Sequence, residues 1–444
     1  MDEVSFVKKY LAFILVIGAF ILISPFKVSA ASEEEWSQKL DLSDSVSSTV
    51  IKLDDGIVVM KYEGGASKNS TLIKYDFKGN QLWSIKNEYG YEMGSLGDAF
   101  VVFTADSSPS ITKISSNGKI SWSQQYDDCS LYSVTNVIDL DSGFIISCDN
   151  VIYRYDNNGK LLKTITKNDV GNAVFGKNNY YCNFAVSLSK DKDSILVFLN
   201  DYHSVTGGAS GYYPAVAKYS LDLNYKSAVI AYVDNKHDYL TKIIETENNY
   251  IITGNCTLVF NKNGQIDKVL NLSMIDIAYI DGYIYAYVCK QSDNYGVYNM
   301  YVVKYDENMN KIMEYQLPYS ISNSGYNSGY NYNFLDTTSF AFIKNRGIFY
   351  KNSNDIHFVM LNSPFGNNYT SSYARPTNSN YSVLQYKLND DNSNNTVTDD
   401  GIIDNIFENP ETSSIAVVIA FVIVILFGGI GFYFGYKKKK AKNM

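Results

Sequence analysis

Between residues 36 and 388, apolar and polar positions alternate in short runs rich in Val, Ile, Tyr and Phe, separated by Gly, Asn, Asp and Ser. A period of two is that of half-buried strands, and helical periodicity is nearly absent. One run recurs along the chain. Leu72-Ile-Lys-Tyr75-Asp-Phe-Lys-Gly79-Asn-Gln-Leu-Trp83 is repeated as Ile111-Thr-Lys-Ile114-Ser-Ser-Asn-Gly118-Lys-Ile-Ser-Trp122. It is repeated again as Val151-Ile-Tyr-Arg-Tyr155-Asp-Asn-Asn-Gly159-Lys-Leu-Leu-Lys163. Weaker copies centre on Tyr219, Phe260 and Tyr305, and Val383-Leu-Gln-Tyr386-Lys-Leu is a seventh. Each copy predicts two strands around a tight turn made by Asn-Gly or a polar substitute. Most copies follow two further runs, such as Ser133–Leu140 and Phe144–Ser147 on either side of Asp141-Ser-Gly143. Four strands per unit is the composition of a propeller blade.

The marker positions 75, 114, 155, 219, 260, 305 and 386 are spaced by 39, 41, 64, 41, 45 and 81 residues. Blades of about 40–45 residues are usual, so the two long intervals hold insertions. Seven markers predict seven blades. The last copy has no strand after its turn. Trp36-Ser-Gln-Lys repeats Trp83-Ser-Ile-Lys and Trp122-Ser-Gln-Gln. The segment Glu35–Leu42 is therefore expected to pair with Tyr381–Leu388 and close the ring. Closure removes the open edges that would otherwise template aggregation. The expected fold is an all-β, seven-bladed propeller over residues 31–388.

The pattern resembles the seven-bladed propeller repeats of bacterial surface proteins and, more distantly, quinoprotein-like and WD40-like repeats. Lys74-Tyr75-Asp76-x-x-Gly79-Asn80-x-x-Trp83 is the best match. The resemblance implies a fold and a surface role. It implies no reaction, since propellers host many functions.

With the strands of a blade lettered A to D from the axis outward, D–A and B–C loops open on one face, A–B and C–D loops on the other. The segments 63–70, 201–213, 290–298 and 363–380 read as B–C loops, and 320–333 as a D–A loop. All five fall on one face. Long loops on a rigid scaffold carry binding residues, and Tyr, Asn, Ser and Gly suit a paratope-like surface. The candidate ligand contacts are Tyr202, His203, Tyr212, Tyr213, Tyr326, Tyr330, Tyr332, Tyr373 and Arg375.

The two ends carry address signals. Lys8-Lys9, the apolar run Leu11–Phe26 and Val28-Ser29-Ala30 read as a secretory leader over residues 1–30, cut after Ala30. Ile415–Phe434 is 20 residues without charge, followed by Lys437-Lys438-Lys439-Lys440. That is long enough to cross a bilayer, and the lysines mark the cytoplasmic side. The expected layout is a transmembrane helix over 414–436, a basic tail over 437–444 and a disordered acidic stalk over 389–413. This makes a single-pass type I cell-membrane protein with its bulk outside. The chain is expected to leave the last blade on the short-turn face, so the loop face should point away from the membrane.

Charge and chemistry narrow the function classes. Without its two ends, the chain holds 30 basic and 44 acidic residues, a net charge of −14. That excludes a basic nucleic-acid footprint. The five cysteines, Cys129, Cys148, Cys182, Cys256 and Cys289, lack metal-ligand spacing. They read as buried thiols, with a Cys129–Cys148 bridge as the alternative. His203, His237 and His357 have no His or Cys neighbour at ligand spacing, and there is no nucleophile elbow or phosphate-binding glycine loop. Asp76, Asp156 and Asp306 sit at turns, where they support turn geometry. No catalytic, cofactor or metal residue is assigned. The expected function is binding or adhesion at the cell surface, with a glycan, wall polymer or protein as ligand. The alternatives are a surface carbohydrate-active hydrolase or lyase, and a non-catalytic envelope assembly factor.

Overall fold

In a computed structural model, the chain divides into two units, Met1–Asn389 and Asp390–Met444. The structure describes residues 33–388 apart from 40–44, 64–68, 105–109, 126–133, 177–184, 204–210, 233–239, 293–296, 324–346, 363–364, 367–372 and 377–381, and the single positions 89, 149, 255, 271 and 273. The segments expected to form a leader, stalk, membrane helix and tail all lie outside the described residues. Among the described residues no helix is long and apolar enough to cross a membrane.

Strand β1 (Glu33–Lys39) comes first. Blade 1 is β2 (Ser45–Leu53), β3 (Gly56–Glu63), β4 (Asn69–Tyr75) and β5 (Gln81–Glu88). Blade 2 is β6 (Gly90–Leu96), β7 (Ala99–Thr104), β8 (Ser110–Ser115) and β9 (Ile120–Gln125). Blade 3 is β10 (Val134–Leu140), β11 (Gly143–Cys148), β12 (Val151–Tyr155) and β13 (Leu161–Thr166). Blade 4 is β14 (Ala185–Leu188), β15 (Ser194–His203), β16 (Gly211–Ser220) and β17 (Tyr225–Ile230). Blade 5 is β18 (Leu240–Glu245), β19 (Asn249–Gly254), β20 (Thr257–Asn261) and β21 (Ile266–Leu270). Blade 6 is β22 (Met274–Ile280), β23 (Tyr283–Gln291), β24 (Val297–Tyr305) and β25 (Lys311–Asn323). Blade 7 contains β26 (Gly347–Asn352) and β27 (Asp355–Asn362); β28 (Phe365–Gly366) and β29 (Tyr373–Pro376) follow, and β30 (Ser382–Leu388) completes its third place. The sheet order β1-β30-β27-β26 puts β1 in the fourth. The chain is a seven-bladed β-propeller.

The closing pair runs Glu33↔Lys387 to Lys39↔Ser382, as the tryptophan repeat predicts. A bulge strengthens the equivalence. In blades 1 to 6 the third and fourth strands slip by one residue at the marker, for example between Lys74 and Tyr75. The β1–β30 pair slips at the same place, leaving Glu35 as the extra residue. The extra residue increases local twist.

The marker side chains Tyr75, Ile114, Tyr155, Tyr219, Phe260, Tyr305 and Tyr386 are all buried. The core is not one mass but seven clusters, each shared by two adjacent blades. The cluster of Val50, Ile57 and Tyr75 with Tyr350, Val359 and Val383 seals blade 7 to blade 1. Tryptophan reinforces three of these seams. Trp36 Nε1 donates to Phe77 O at 3.0 Å, Trp83 Nε1 to Ser116 O at 2.9 Å, and Trp122 Nε1 to Asn157 O at 3.2 Å. Each ring lies over the turn glycine of the next blade, where φ is positive. A Cβ on Gly159 would stand 2.9 Å from Trp122, so that glycine serves both the turn and the close approach.

The turn aspartates act as expected. Asp76 Oδ1 accepts from the backbone N–H of Lys78 and Asn80 at 2.9 and 2.8 Å, and Asp156 and Asp306 repeat the pattern. Asn261 does the same work in blade 5. Cys148, Cys256 and Cys289 are buried thiols; Cys129 and Cys182 lie outside the described residues.

One helix departs from the all-strand reading. Helix α1 (Lys167–Phe175) fills part of the long interval between blades 3 and 4. Asp169 N–H donates to Thr166 Oγ1, the Asp169 carboxylate accepts from Thr166 N–H, and Gly176 ends the helix at φ 69°. Thr166-x-x-Asp169 and Gly176 are start and stop signals present in the sequence. With two turns and Val170 as its buried apolar residue, the helix is too short for its period to stand out.

Charge also links blades on the short-turn face. Glu245, at the end of β18, accepts from Lys218 Nζ at 2.8 Å, from Lys262 Nζ and from Lys190 N–H at 3.1 Å. Burial opposes its ionisation, but those hydrogen bonds outweigh burial and hold the carboxyl below its ordinary range. A lowered folded-state value adds stability above the unfolded carboxyl range and loses it as pH falls through the folded value. Glu245→Gln is therefore expected to cost about 2 kcal/mol near pH 7, because the paired lysines are left half-buried and uncompensated. The cost should shrink below about pH 4. Urea denaturation at the two pH values measures this; an equal cost at both would refute the charge assignment.

Candidate functional site

The innermost strands β2, β6, β10, β14, β18, β22 and β26 each touch the next and enclose the axis. Backbone pairing puts Thr49, Glu92, Asn136, Ala185, Lys242 and Asp276 on one rung, toward the face of the D–A and B–C loops. In blades 2, 3, 5 and 6 a bulge immediately precedes this rung. The carboxylate of Glu92 accepts from Met93 N–H at 3.1 Å, and that of Asp276 from Ile277 N–H at 2.8 Å. Asn136 Oδ1 accepts from Val137 N–H at 2.9 Å, while its Nδ2 donates to Val186 O of blade 4 at 2.8 Å. Lys242 of blade 5 is ion-paired to Asp276 of blade 6. Thr49 Oγ1 is buried without a hydrogen-bond partner.

These groups make a polar collar at the loop-face end of the axis. The Asp276 side chain is 8% exposed, whereas Lys242 keeps 38% of its surface open. Lys242 is thus crowded by protein along its stem yet reaches water. The crowding lowers its ammonium to about 8, because burial disfavours the charged form. Neighbouring inner strands pack closely here: a Cβ on Gly94 would stand 2.2 Å from Val137. Among the described residues no group of three or more His, Cys, Asp or Glu could hold a metal ion.

The connections differ sharply between the two faces. The A–B and C–D turns run two to five residues in every blade that has both. The five segments read as loops do join the strand types expected, B to C or D to A. Residues 126–133, 167–184 and 231–239 lengthen the same face. Several of these segments contain more strand than the sequence reading gave them. In blade 4, pairing continues through Asn200↔Pro214, Asp201↔Tyr213, Tyr202↔Tyr212 and His203↔Gly211. That stretch is a ribbon, and its connection is only 204–210. Ser320–Asn323 extend β25 and pair with β29, while β28 and β29 form a hairpin within 363–380. Tyrosine-rich segments favour extended pairing, and turn residues alone do not show where a strand stops.

Tyr202, His203, Tyr212 and Tyr213 are brought together on the blade 4 ribbon. Tyr373 and Arg375 lie on β29, opposite Gly366 of β28 and Ser322 of β25. The insertions of blades 6 and 7, read as separate loops, therefore share one sheet of six strands, and β28 lies against β2 of blade 1. Blade 5 separates this group from blade 4. Tyr326, Tyr330 and Tyr332 lie outside the described residues. His357 is buried, with Nδ1 2.8 Å from Glu35 Oε2 and its ring stacked on Tyr350. The sequence reading did not single out Tyr232 or the collar. Tyr232 packs on Tyr213 with ring centroids 5.3 Å apart. The collar residues share a rung but no residue type, so no repeat in sequence marks them.

No family model matches the chain. Two lambda-carrageenases of Pseudoalteromonas, one from Pseudoalteromonas carrageenovora, are 25% identical over 171 residues, 37% of this chain and 17% of theirs. The shared stretch thus spans less than a fifth of those enzymes. Three solved propellers are similar in fold. BamB from Moraxella catarrhalis matches 81% of this chain and 100% of its own at 12% identity, with a TM-score of 0.42. The WD40 domain of Neurospora crassa Pan2 matches 82% and 98% at 10% identity, TM-score 0.33. The β-propeller domain of the Trilobed protease from Pyrococcus furiosus matches 66% and 90% at 8% identity, TM-score 0.38.

Proposed function

We propose that this protein is an exported, membrane-anchored binding propeller whose loop face takes a carbohydrate at the cell surface. One observation carries the reading: the long connections open on a single face of the propeller, around a polar collar, while the other face is closed by short turns. Long loops on a rigid scaffold are where binding residues concentrate. The leader and the apolar 414–436 segment supply the address. The chain leaves β30 at Leu388 on the short-turn face. The stretch shared with the lambda-carrageenases favours a carbohydrate over a protein ligand.

The test is a binding screen with the full chain in nanodiscs against glycans, purified wall polymer and surface proteins. A variant with residues 204–210 and 324–333 replaced by short Gly-Ser links is run in parallel. We expect a glycan hit in the wild type and at least a tenfold loss in the variant, with an unchanged far-ultraviolet spectrum. A hit that survives loop replacement would move the site off these loops, and turnover of the bound glycan would favour the hydrolase or lyase reading.

A further inference from the structure

Strands β1 and β30 are where the chain enters and leaves the propeller. Glu33 is paired with Lys387, so both passages lie side by side at the short-turn face. The two strands are held unequally. In the sheet order β1-β30-β27-β26, β30 has a neighbour on each side, whereas β1 is at the edge. All of β30 is paired with β27, from Ile356↔Leu388 to Asn362↔Ser382, and its other side is paired with β1 from Glu33↔Lys387 to Lys39↔Ser382. Antiparallel ladder bonds run perpendicular to the strands. A pull along β30 from Leu388 therefore loads two ladders at once, in shear. A pull along β1 from Glu33 loads one.

Side chains lock the same strand. In blades 1, 2, 3, 4 and 6 the residue before the marker is Lys74, Lys113, Arg154, Lys218 or Lys304; in blade 7 it is Gln385. Gln385 is 2% exposed. Its Nε2 donates to Glu35 Oε2 of β1 at 2.6 Å and to Phe77 O of blade 1 at 3.1 Å, while its Oε1 accepts from the Tyr350 hydroxyl of β26 at 2.7 Å. A lysine or arginine in this place could not accept from Tyr350, since neither has an acceptor atom. Lys387 Nζ is paired with Asp355 Oδ2 of β27 at 2.9 Å. On the far side of β30, Gln38 Nε2 of β1 donates to Gly79 O of blade 1 at 2.9 Å. One strand is thus tied to both neighbours, to the innermost strand of its own blade and to the next blade.

We infer that the closing sheet of blade 7 is a load-bearing clamp: tension between a ligand on the loop face and the segment that follows Leu388 is carried by β30 in shear and passed to blades 7 and 1. This rests on the surface-binding reading above, in which that segment anchors the chain, and it adds a mechanical role to ring closure. The load enters at Leu388 and leaves through the loop face, the two ends between which β30 runs.

The experiment pulls the chain as exported, residues 31–444 in detergent micelles, with optical tweezers. One handle is a peptide tag inserted in the 204–210 connection of blade 4. The other is placed either after Met444, to load β30, or before Ala31, to load β1. At equal loading rate the C-terminal pull should need about twice the rupture force of the N-terminal pull, because two ladders share the load instead of one. Its first event should release chain from β30. Gln385→Ala should lower the C-terminal rupture force by about a third, since forced unfolding follows the unfolding barrier. Arg154→Ala acts at the seam of blades 3 and 4 and shares no partner with Gln385. It should leave that force within about a tenth of wild type, as independent sites do. Equal forces from the two ends, or a lower force from the C-terminus, would overturn the clamp, and this comparison needs only the wild type should Gln385→Ala fail to fold. Equal weakening by Arg154→Ala would also overturn it, because the force would then follow overall stability. No ligand or membrane enters the measurement, so a failed clamp is distinct from a failed glycan screen.

Discussion

Trp36→Ala should destabilise the propeller by about 3 kcal/mol, the low end for truncating a large buried aromatic. Trp36 is partly exposed, but three things depend on it. Its ring covers Gly79, where an added Cβ would stand 2.7 Å away, and packs 6.0 Å from the Tyr75 ring. Its Nε1 donates to Phe77 O. It also lies on β1, the strand that completes blade 7 and seals that blade to blade 1. Glu35, one residue earlier, accepts from Gln385 Nε2 at 2.6 Å and meets His357 Nδ1. Trp36→Phe should keep most of the packing and lose about 1 kcal/mol with the hydrogen bond. At an internal seam Trp83 makes the corresponding hydrogen bond to Ser116 O, lies over Gly118 and stacks on Phe100. Its truncation should cost a similar equilibrium free energy. The difference should appear in native-state hydrogen exchange. Trp36→Ala should speed exchange first in β1 and β30, because the chain ends there can separate without unfolding a blade. Uniform acceleration over all seven blades would refute a closing role for β1.

Arg154→Ala should cost about 3 kcal/mol, comparable to breaking other buried polar networks. Arg154 is 1% exposed and immediately precedes the Tyr155 marker. Its guanidinium donates to Ser142 Oγ at 2.6 Å, Ser142 O at 3.3 Å, Leu221 O of blade 4 at 3.2 Å, and Tyr155 O. Burial disfavours its charge, and Asp222 and Asp156 offset part of that cost. Removing the side chain strands several carbonyls away from water, each worth about 1–3 kcal/mol when left unpaired. Arg154→Lys should recover less than half, because one ammonium cannot span the same fork of acceptors. Lys74 occupies the same place in blade 1 and bridges Asp55 at 2.7 Å to Ser116 O of blade 2 at 3.0 Å. Urea denaturation of the wild type and the two variants decides the point. A loss below about 1 kcal/mol for Arg154→Ala would show that the cost of burying the charge had already cancelled the bonds.

Blade count, ring closure and turn chemistry were legible in the sequence because each depends on local pattern repeated along the chain. Tyr75, Gly79 and Trp83 hold fixed offsets, and the missing strand of blade 7 left a matching copy at Trp36. Asp76 and Asp306 form turns within five residues, so no distant partner is needed. Other features required the fold. The collar of Glu92, Asn136, Lys242 and Asp276 exists because register brings unlike residues from separate blades to one level. The blade 4 ribbon became visible only from where β14 and β17 stop pairing. Tyr232 reaches Tyr213 through a bond from Ala231 to Pro214, and nothing near Tyr232 in sequence marks it. Alternation and turn residues are set by each residue's own backbone and two-sided burial, so the chain carries them openly. Which side chains meet across an axis or at a sheet's edge depends on strand lengths and register between distant segments, and those are fixed only when the blades pack.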